Sequence, residues 1–245
     1  MNRAGRVYVG TSGWHYGHWK GGFYPEDLPA ARMLEHYKDR FRSAEINNTF
    51  YGLPSEKTLA QWRDAVPRDF VFAVKGSRYI THMKKLKDPR KPLSALLERV
   101  KVLGEKAGPV LFQLPPRWKA DPVRLNAFLK ALPAGKRFAF EFRDASWFGA
   151  ATEKALAAAN AAFCVYDLGG ARSPRAVTAD FVYMRLHGPG GPYKGRYGGR
   201  ALGGWARPIR RWLKEGRDVY CYFDNDEKGF AAQDALKLRQ LLNDA

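Results

Sequence analysis

The chain is short of cysteine, histidine and acid. Cys164 and Cys221 are its two cysteines in 245 residues. They fall in separate apolar, strand-like runs without zinc-motif spacing. That excludes a disulfide scaffold and predicts two buried free thiols in a reducing compartment. There are five histidines and no HExxH pair. A divalent metal, as cofactor, has only a weak candidate ligand set: His82 and His187 at strand ends, with Glu45, Glu141 and Asp224. No GK[ST] follows a glycine-rich turn at P-loop spacing. No apolar run is long enough to span a bilayer. No apolar leader precedes the strand-like Val7-Tyr8-Val9, so a cytoplasmic location without membrane partners is expected. Asp plus Glu number 24 against 42 Lys plus Arg, a formal net charge of +18. That excess favours an anionic ligand, a phosphate compound or nucleic acid, over acidic-tract functions. A merely basic, solubilising surface is the plain alternative.

What is present is alternation. Apolar β-type runs occur at 7–10, 43–47, 71–75, 110–114, 138–142, 162–166, 182–186 and 219–223. Amphipathic stretches fall between most of them, at 30–41, 55–65, 93–103, 122–132, 152–160 and 208–215, with a last one at 230–242. Strand–helix alternation predicts a parallel sheet. Eight units in a length near 250 predict an α/β fold closed as a (β/α)8, TIM-barrel-like domain over residues 1–245. The sixth unit is irregular, because 167–180 holds Gly169-Gly170 and Ser173-Pro174 but no long helical pattern.

Strands of such a barrel are covered on both faces and should be apolar throughout, so polar breaks in them are informative. Glu45 and Asn47 share one face of the second strand. Ala139, Glu141 and Arg143 share one face of the fifth. Tyr183, Arg185 and His187 align in the seventh, and Tyr220, Tyr222 and Asp224 in the eighth. Lys75 ends the third strand and Gln113 the fourth. These faces turn polar toward their C-terminal ends, where barrel enzymes carry their active sites. Buried ion pairs that only fill the interior would give the same pattern.

Four loops add to this set. Gly10-Thr11-Ser12-Gly13-Trp14-His15-Tyr16 is followed by His18-Trp19-Lys20, and its aromatics offer a stacking surface or a plug over the mouth. After the third strand come Arg78 and His82, then Lys84, Lys85, Lys87, Arg90 and Lys91, a phosphate-facing or simply solvated run. After the seventh, 188–200 interleaves Tyr193 and Tyr197 with Lys194, Arg196 and Arg200, and its glycines and prolines exclude a regular helix. Asp224-Asn225-Asp226 follows the eighth. The candidate catalytic set is Glu45, Lys75, Glu141, His187 and Asp224. The candidate substrate-binding set is Trp14, Tyr16, Asn47, Gln113, Arg143, Arg185, Tyr193, Lys194, Arg196 and Asn225.

Several of these segments occur together in a recognisable order: Gly10-Thr11-Ser12-Gly13-Trp14, Phe23-Tyr24-Pro25, Glu45-Ile46-Asn47-Asn48-Thr49-Phe50-Tyr51, Thr81-His82, Gln113-Leu114-Pro115-Pro116, Glu141-Phe142-Arg143, Ser146-Trp147, Arg185-Leu186-His187-Gly188 and Tyr222-Phe223-Asp224-Asn225-Asp226. This series resembles the "domain of unknown function 72" family, also called YecE-like, over nearly the whole chain. The resemblance implies a (β/α)8-type barrel and brings no reaction with it. Barrels of this kind are similar to the endonuclease IV and xylose isomerase group, which implies phosphodiester or sugar chemistry by analogy. The dense His and carboxylate ligation of those enzymes is missing here.

Three functions follow as expectations. The first is a hydrolase or related enzyme acting on a phosphate-bearing substrate such as nucleic acid. Arg143, Arg185 and loop cations would hold phosphate, Glu45 or Glu141 would act as base, and His187 or Lys75 as acid. The second is nucleic-acid binding without catalysis. The third is a sugar-directed enzyme with Glu45 and Glu141 as paired carboxylates and Trp14 and Trp19 as its platform.

Overall fold

A computed structural model describes residues 3–243. Its strands are β1 (Val7–Thr11), β2 (Ser43–Ile46), β3 (Val71–Lys75), β4 (Ala107–Gln113), β5 (Phe138–Glu141), β6 (Ala162–Leu168), β7 (Ala171–Arg172), β8 (Phe181–Leu186) and β9 (Asp218–Phe223). All but β7 pair in parallel, in the order β1-β9-β8-β6-β5-β4-β3-β2. Helices α1 (Met33–Lys38), α2 (Glu56–Ala65), α3 (Arg90–Lys101), α4 (Pro122–Leu129), α5 (Ala150–Ala158), α6 (Gly199–Lys214) and α7 (Phe230–Asn243) cover the outside. The alternation forms a TIM-barrel-like α/β fold, as the sequence predicts.

The ring closes at a seam between β1 and β2. One bridge joins Ser12 to Glu45, where the Gly13 N–H donates to the Glu45 carbonyl at 2.8 Å. Below it a side chain replaces the ladder. The Thr11 N–H donates to the Tyr37 hydroxyl at 2.9 Å, and that hydroxyl donates to the Ser43 carbonyl at 3.0 Å. Buried peptide groups must find partners, so this one hydroxyl satisfies both sides of the gap. Gly10 sets the closeness: a Cβ there would lie 2.0 Å from the Ser43 carbonyl oxygen.

Outward strand side chains such as Val9, Ile46, Phe72, Val74, Phe112, Phe140 and Met184 pack under the helices. Inward ones form a smaller, separate core. Ala73, Ala139, Ala162 and Cys164 face Tyr183, Tyr220 and Tyr222. Small residues on one half leave room for long side chains from the other, which is how Arg185 of β8 reaches across the lumen.

Two differences from the sequence expectation have local causes. Helix α6 starts at Gly199, nine residues before the predicted 208, so Arg200 is helical and not part of the loop. Gly199, Gly203 and Gly204 weaken its pattern; its apolar stripe of Leu202, Trp205, Ile209 and Trp212 decides the outcome. Strand β4 starts at Ala107, because Gly108 and Pro109 conceal a strand beginning where the chain approaches β3 closely. The sixth unit is irregular as expected. Between β6 and β8 there is only β7, paired antiparallel to β6, and no helix.

Candidate functional site

The polar inward residues converge in one layer at the C-terminal ends of the strands. Arg185, fully buried, lies at its centre. Its Nη2 donates to Glu45 Oε1 at 2.8 Å, to Asp224 Oδ2 at 2.9 Å and to Ser12 Oγ at 3.0 Å. Its Nη1 donates to Glu141 Oε2 at 3.0 Å, and its Nε to Glu45 Oε1 at 3.2 Å. The Ser12 hydroxyl also donates to Glu45 Oε1, and the Tyr183 hydroxyl donates to Glu45 Oε2 at 2.6 Å. Glu141 Oε1 is taken by Arg143 Nε. One planar fork thus satisfies three carboxylates from three strands, a geometry available to guanidinium and not to ammonium.

His187 is fixed in one tautomer. Arg143 Nη2 and Arg185 Nη1 present donors to its Nε2 at 3.1 and 3.4 Å. Donors cannot face a donor, so Nε2 accepts and the proton is on Nδ1, which donates to Asp224 Oδ2 at 3.0 Å. Glu141 Oε1 lies 3.5 Å from Nε2 and is already held by Arg143. Asp224, His187 and Arg143 therefore form a chain in which the imidazole positions a guanidinium.

Burial opposes the charge on Glu141, yet the Arg143 and Arg185 guanidinium groups hold its carboxyl well below the usual range. Asp224 is lowered in the same way, against its own burial, by Arg185, His187 and Lys75. Lys75 moves oppositely. Burial, and then Arg185, push its ammonium down to about 8. Lys75 is 7% exposed, and its Nζ lies 4.3 Å from the centre of the Phe50 ring. Among the described residues it has no carboxylate partner. Around it the mouth is cationic. Burial lowers His82, and Lys75, Arg78 and Arg143 each lower it further. Arg143 lies 5.2 Å over the Tyr166 ring.

The other expected site residues are distributed unequally. Tyr193, 44% exposed, lies edge-on to His187 with ring centres 5.5 Å apart, in the loop over the network. Gln113 is buried beside Glu141 in register. Tyr16, whose hydroxyl donates to the Ser12 carbonyl at 2.7 Å, and Asn47 line a cleft of about 450 Å³ next to the mouth, shared with Trp62 and Tyr51.

Five expected groups are placed differently from the sequence reading. Arg185 has its nitrogens occupied by carboxylates, Ser12 and His187. Trp14 and Trp19 are not an exposed platform: Trp19 is fully buried, and Trp14 packs against Trp62, Tyr37 and Phe72 with one edge on the cleft. Asn225 ties down the loop, its Nδ2 donating to the Gly195 carbonyl and Asp234 Oδ2 at 2.8 Å each. Arg196 is drawn toward Asp234, at 3.8 Å, and Lys194 is exposed at the loop turn, where Gly188 at φ +105° would place a Cβ 2.1 Å from the Lys194 carbonyl oxygen. The carboxylates named as metal ligands surround Arg185 instead, and no three His, Cys, Asp or Glu side chains among the described residues converge on a common metal position.

Ser12, Tyr183, Phe50 and Tyr166 were outside the expected site sets, although Tyr183 was placed on the inward face with Arg185. Tyr183 had a usable signal, being two residues before Arg185 on the same face. Ser12 continues the inward parity of β1. Phe50 had none, because it comes from a loop whose path over Lys75 is set by tertiary contacts.

The chain and its barrel are similar to known proteins. The profile of the family described as "Protein of unknown function DUF72" matches residues 8–245. The chain is 24% identical to the UPF0759 protein YunF of Bacillus subtilis (strain 168), over 97% of this chain and 95% of that protein. Its fold is similar to a DUF72 family protein of Thermotoga maritima, with 29% identity, TM-score 0.89, and 97% and 99% of the two chains covered. It is also similar to one of Enterococcus faecalis, with 18% identity, TM-score 0.82, and 97% and 95% covered. Matched over residues 8–245, the chain belongs to the DUF72 family.

Proposed function

We propose that the protein is an enzyme acting on a phosphate-bearing substrate, nucleic acid among the candidates, at the C-terminal mouth of its barrel. The observation that carries this reading is Lys75. It is a nearly buried ammonium without a carboxylate partner, above a layer whose acids are already matched by Arg185 and Arg143. A charge held so far from water is costly unless it is paired or used. A phosphoryl group between Lys75 and Arg143 supplies the missing counter-charge, with Arg78 and His82 on the same rim.

The geometry supports a role for each group. Arg143, held by Glu141 and His187, orients the phosphoryl oxygens. Asp224, Glu45 and Arg185 position those groups. Lys75, with its pKa pushed down to about 8, is matched to proton transfer near neutral pH. It donates to the leaving oxygen as the P–O bond breaks, and the proton released by the attacking water restores the ammonium. Glu141 is too acidic to serve well as the base. The sugar-directed alternative lacks its platform, since Trp14 and Trp19 are buried. The two free, buried thiols suit a reducing compartment such as the cytoplasm, and no helix among the described residues is long and apolar enough to cross a membrane.

The test is phosphate or nucleotide release from a panel of phosphomonoesters, phosphodiesters and oligonucleotides. Turnover is expected to disappear in Lys75→Met and to fall at least tenfold in Arg143→Gln, with both variants folded by circular dichroism. Turnover that survives Lys75→Met overturns the assignment.

A further inference from the structure

The missing sixth helix exposes a second basic surface. After β6 the chain turns at Gly169-Gly170 and returns as an extended segment. Its Ser173 and Thr178 hydroxyls accept from the Tyr166 and Phe163 N–H groups at 2.9 and 2.8 Å. An extended segment is thinner than a helix of about 10–12 Å diameter. The flank of α6 that a neighbouring helix would cover carries arginines instead. Trp205, 1% exposed, has Arg172 at 5.5 Å and Arg175 at 4.6 Å from its ring centre. Arg175 lies below its ordinary pKa through burial and through the nearby Arg172, Arg211 and Arg207.

Helix α6 extends this group into a stripe. Arg200, Arg207, Arg211 and Lys214 follow at steps of seven, four and three residues, so they share one exposed face. The stripe is about 21 Å long at 1.5 Å per residue. Residues 199–214 contain no acid. The acidic contacts recorded near the group are Arg211 to Glu215 at 3.7 Å and Arg172 to Asp167 at 3.2 Å.

A row of like charges on one helix face repels itself, and an extended polyanion relieves it. Two surfaces have that form: a nucleic-acid backbone and an anionic lipid layer. Interfacial membrane binding needs exposed apolar side chains beside the cations. The large exposed ones here are Tyr51, Leu53, Tyr79, Met83, Val123 and Tyr193, and none is on α6 or in 171–180. Arginine, which dominates the stripe, also suits bidentate phosphate contact.

We infer that the basic surface formed by α6 and the 171–180 segment binds the phosphate backbone of nucleic acid. The inference stands on residues separate from the mouth and does not depend on catalysis there. Binding of a fluorescent duplex 20-mer and a single-stranded RNA 20-mer tests it, by anisotropy across a salt series. Each lost phosphate contact reduces the slope of log affinity against log salt by about 0.9. The triple variant Arg175→Gln, Arg207→Gln, Arg211→Gln is expected to lower that slope by about 2–3 and to weaken binding at least ~30-fold at low salt. A charge-matched control, Lys57→Gln, Lys136→Gln, Lys154→Gln, is expected to change affinity less than threefold. In a Lys75→Met background the triple variant is expected to lose the same increment of slope, which separates this surface from the mouth. The assignment is overturned if neither oligonucleotide binds wild type at low salt, or if the control weakens binding as much as the triple variant. It is equally overturned if the triple variant's loss disappears in the Lys75→Met background, or if the triple variant loses only binding to phosphatidylserine vesicles.

Discussion

Replacing Lys75 by methionine is expected to stabilise the protein while removing its ligand. The ammonium's pKa falls from 10.5 to about 8 on folding. That corresponds to a penalty of about 3 kcal/mol at neutral pH, since each unit is worth about 1.4 kcal/mol. Methionine keeps an unbranched stem against the Phe50 ring and leaves no charge in the layer. The expected gain for Lys75→Met is about 2–3 kcal/mol in urea unfolding at pH 7, or about 4–12 °C in Tm. The sign of the pH dependence is fixed. Below about 8 Lys75 is protonated in both the folded and unfolded chain, and the full penalty applies. Between 8 and 10.5 the folded state releases its proton first and the penalty shrinks. Wild type should therefore approach the variant in stability as pH rises through this window. Inorganic phosphate should raise the Tm of wild type and not of the variant, because only an occupied site adds stability. A variant no more stable than wild type at pH 7, or a gap constant from pH 7 to 10, would refute the reasoning.

Three further outcomes follow. Arg185→Gln strands Glu45, Glu141 and Asp224 in a buried layer and should cost about 3–5 kcal/mol or more in denaturant unfolding, with Arg185→Lys failing to restore it; a loss under about 1 kcal/mol would contradict the hub role. Glu141 and Asp224 are held below their ordinary pKa values of 4.5 and 3.8, so the stability they contribute is complete above those values and is lost as pH falls toward their lower folded ones. Glu141→Gln should accordingly flatten the fall of urea midpoint with acid, and an unchanged slope would show that the carboxylate is not held down. Tyr37→Phe removes the hydroxyl that bridges Thr11 and Ser43 across the seam. It should cost about 1–3 kcal/mol and speed amide exchange at Thr11, and unchanged exchange would remove the seam from this account.

The ring of strands was legible because the strands are apolar on their outward faces and six of the eight change to Glu45, Lys75, Gln113, Glu141, Arg185 or Asp224 at one end. Parity alone identified the inward set. It could not say which members bind each other. Arg185 and Arg143 are both inward cations in sequence, yet Arg185 is consumed by three carboxylates while Arg143 is held at the edge with Tyr166 and Tyr193. That distinction depends on depth in the lumen, which is set by the Ala73, Ala139 and Ala162 opposite. Trp14 and Trp19 misled because an aromatic in a glycine-rich loop has the same sequence signature whether it stacks on a ligand or plugs a core. The early start of α6 was hidden for a related reason: glycine marks a loop by propensity, and burial of Leu202 and Trp205 overrode it.

The most direct test of the central claim is a crystal structure of the protein grown with orthovanadate, an analogue of a phosphoryl group in transfer. The account expects vanadate at the mouth, within hydrogen-bonding distance of Lys75 Nζ and Arg143, with Arg185 still bound to Glu45, Glu141 and Asp224. Vanadate bound elsewhere, or a vacant mouth at saturating concentration with Lys75 still over Phe50, would contradict it.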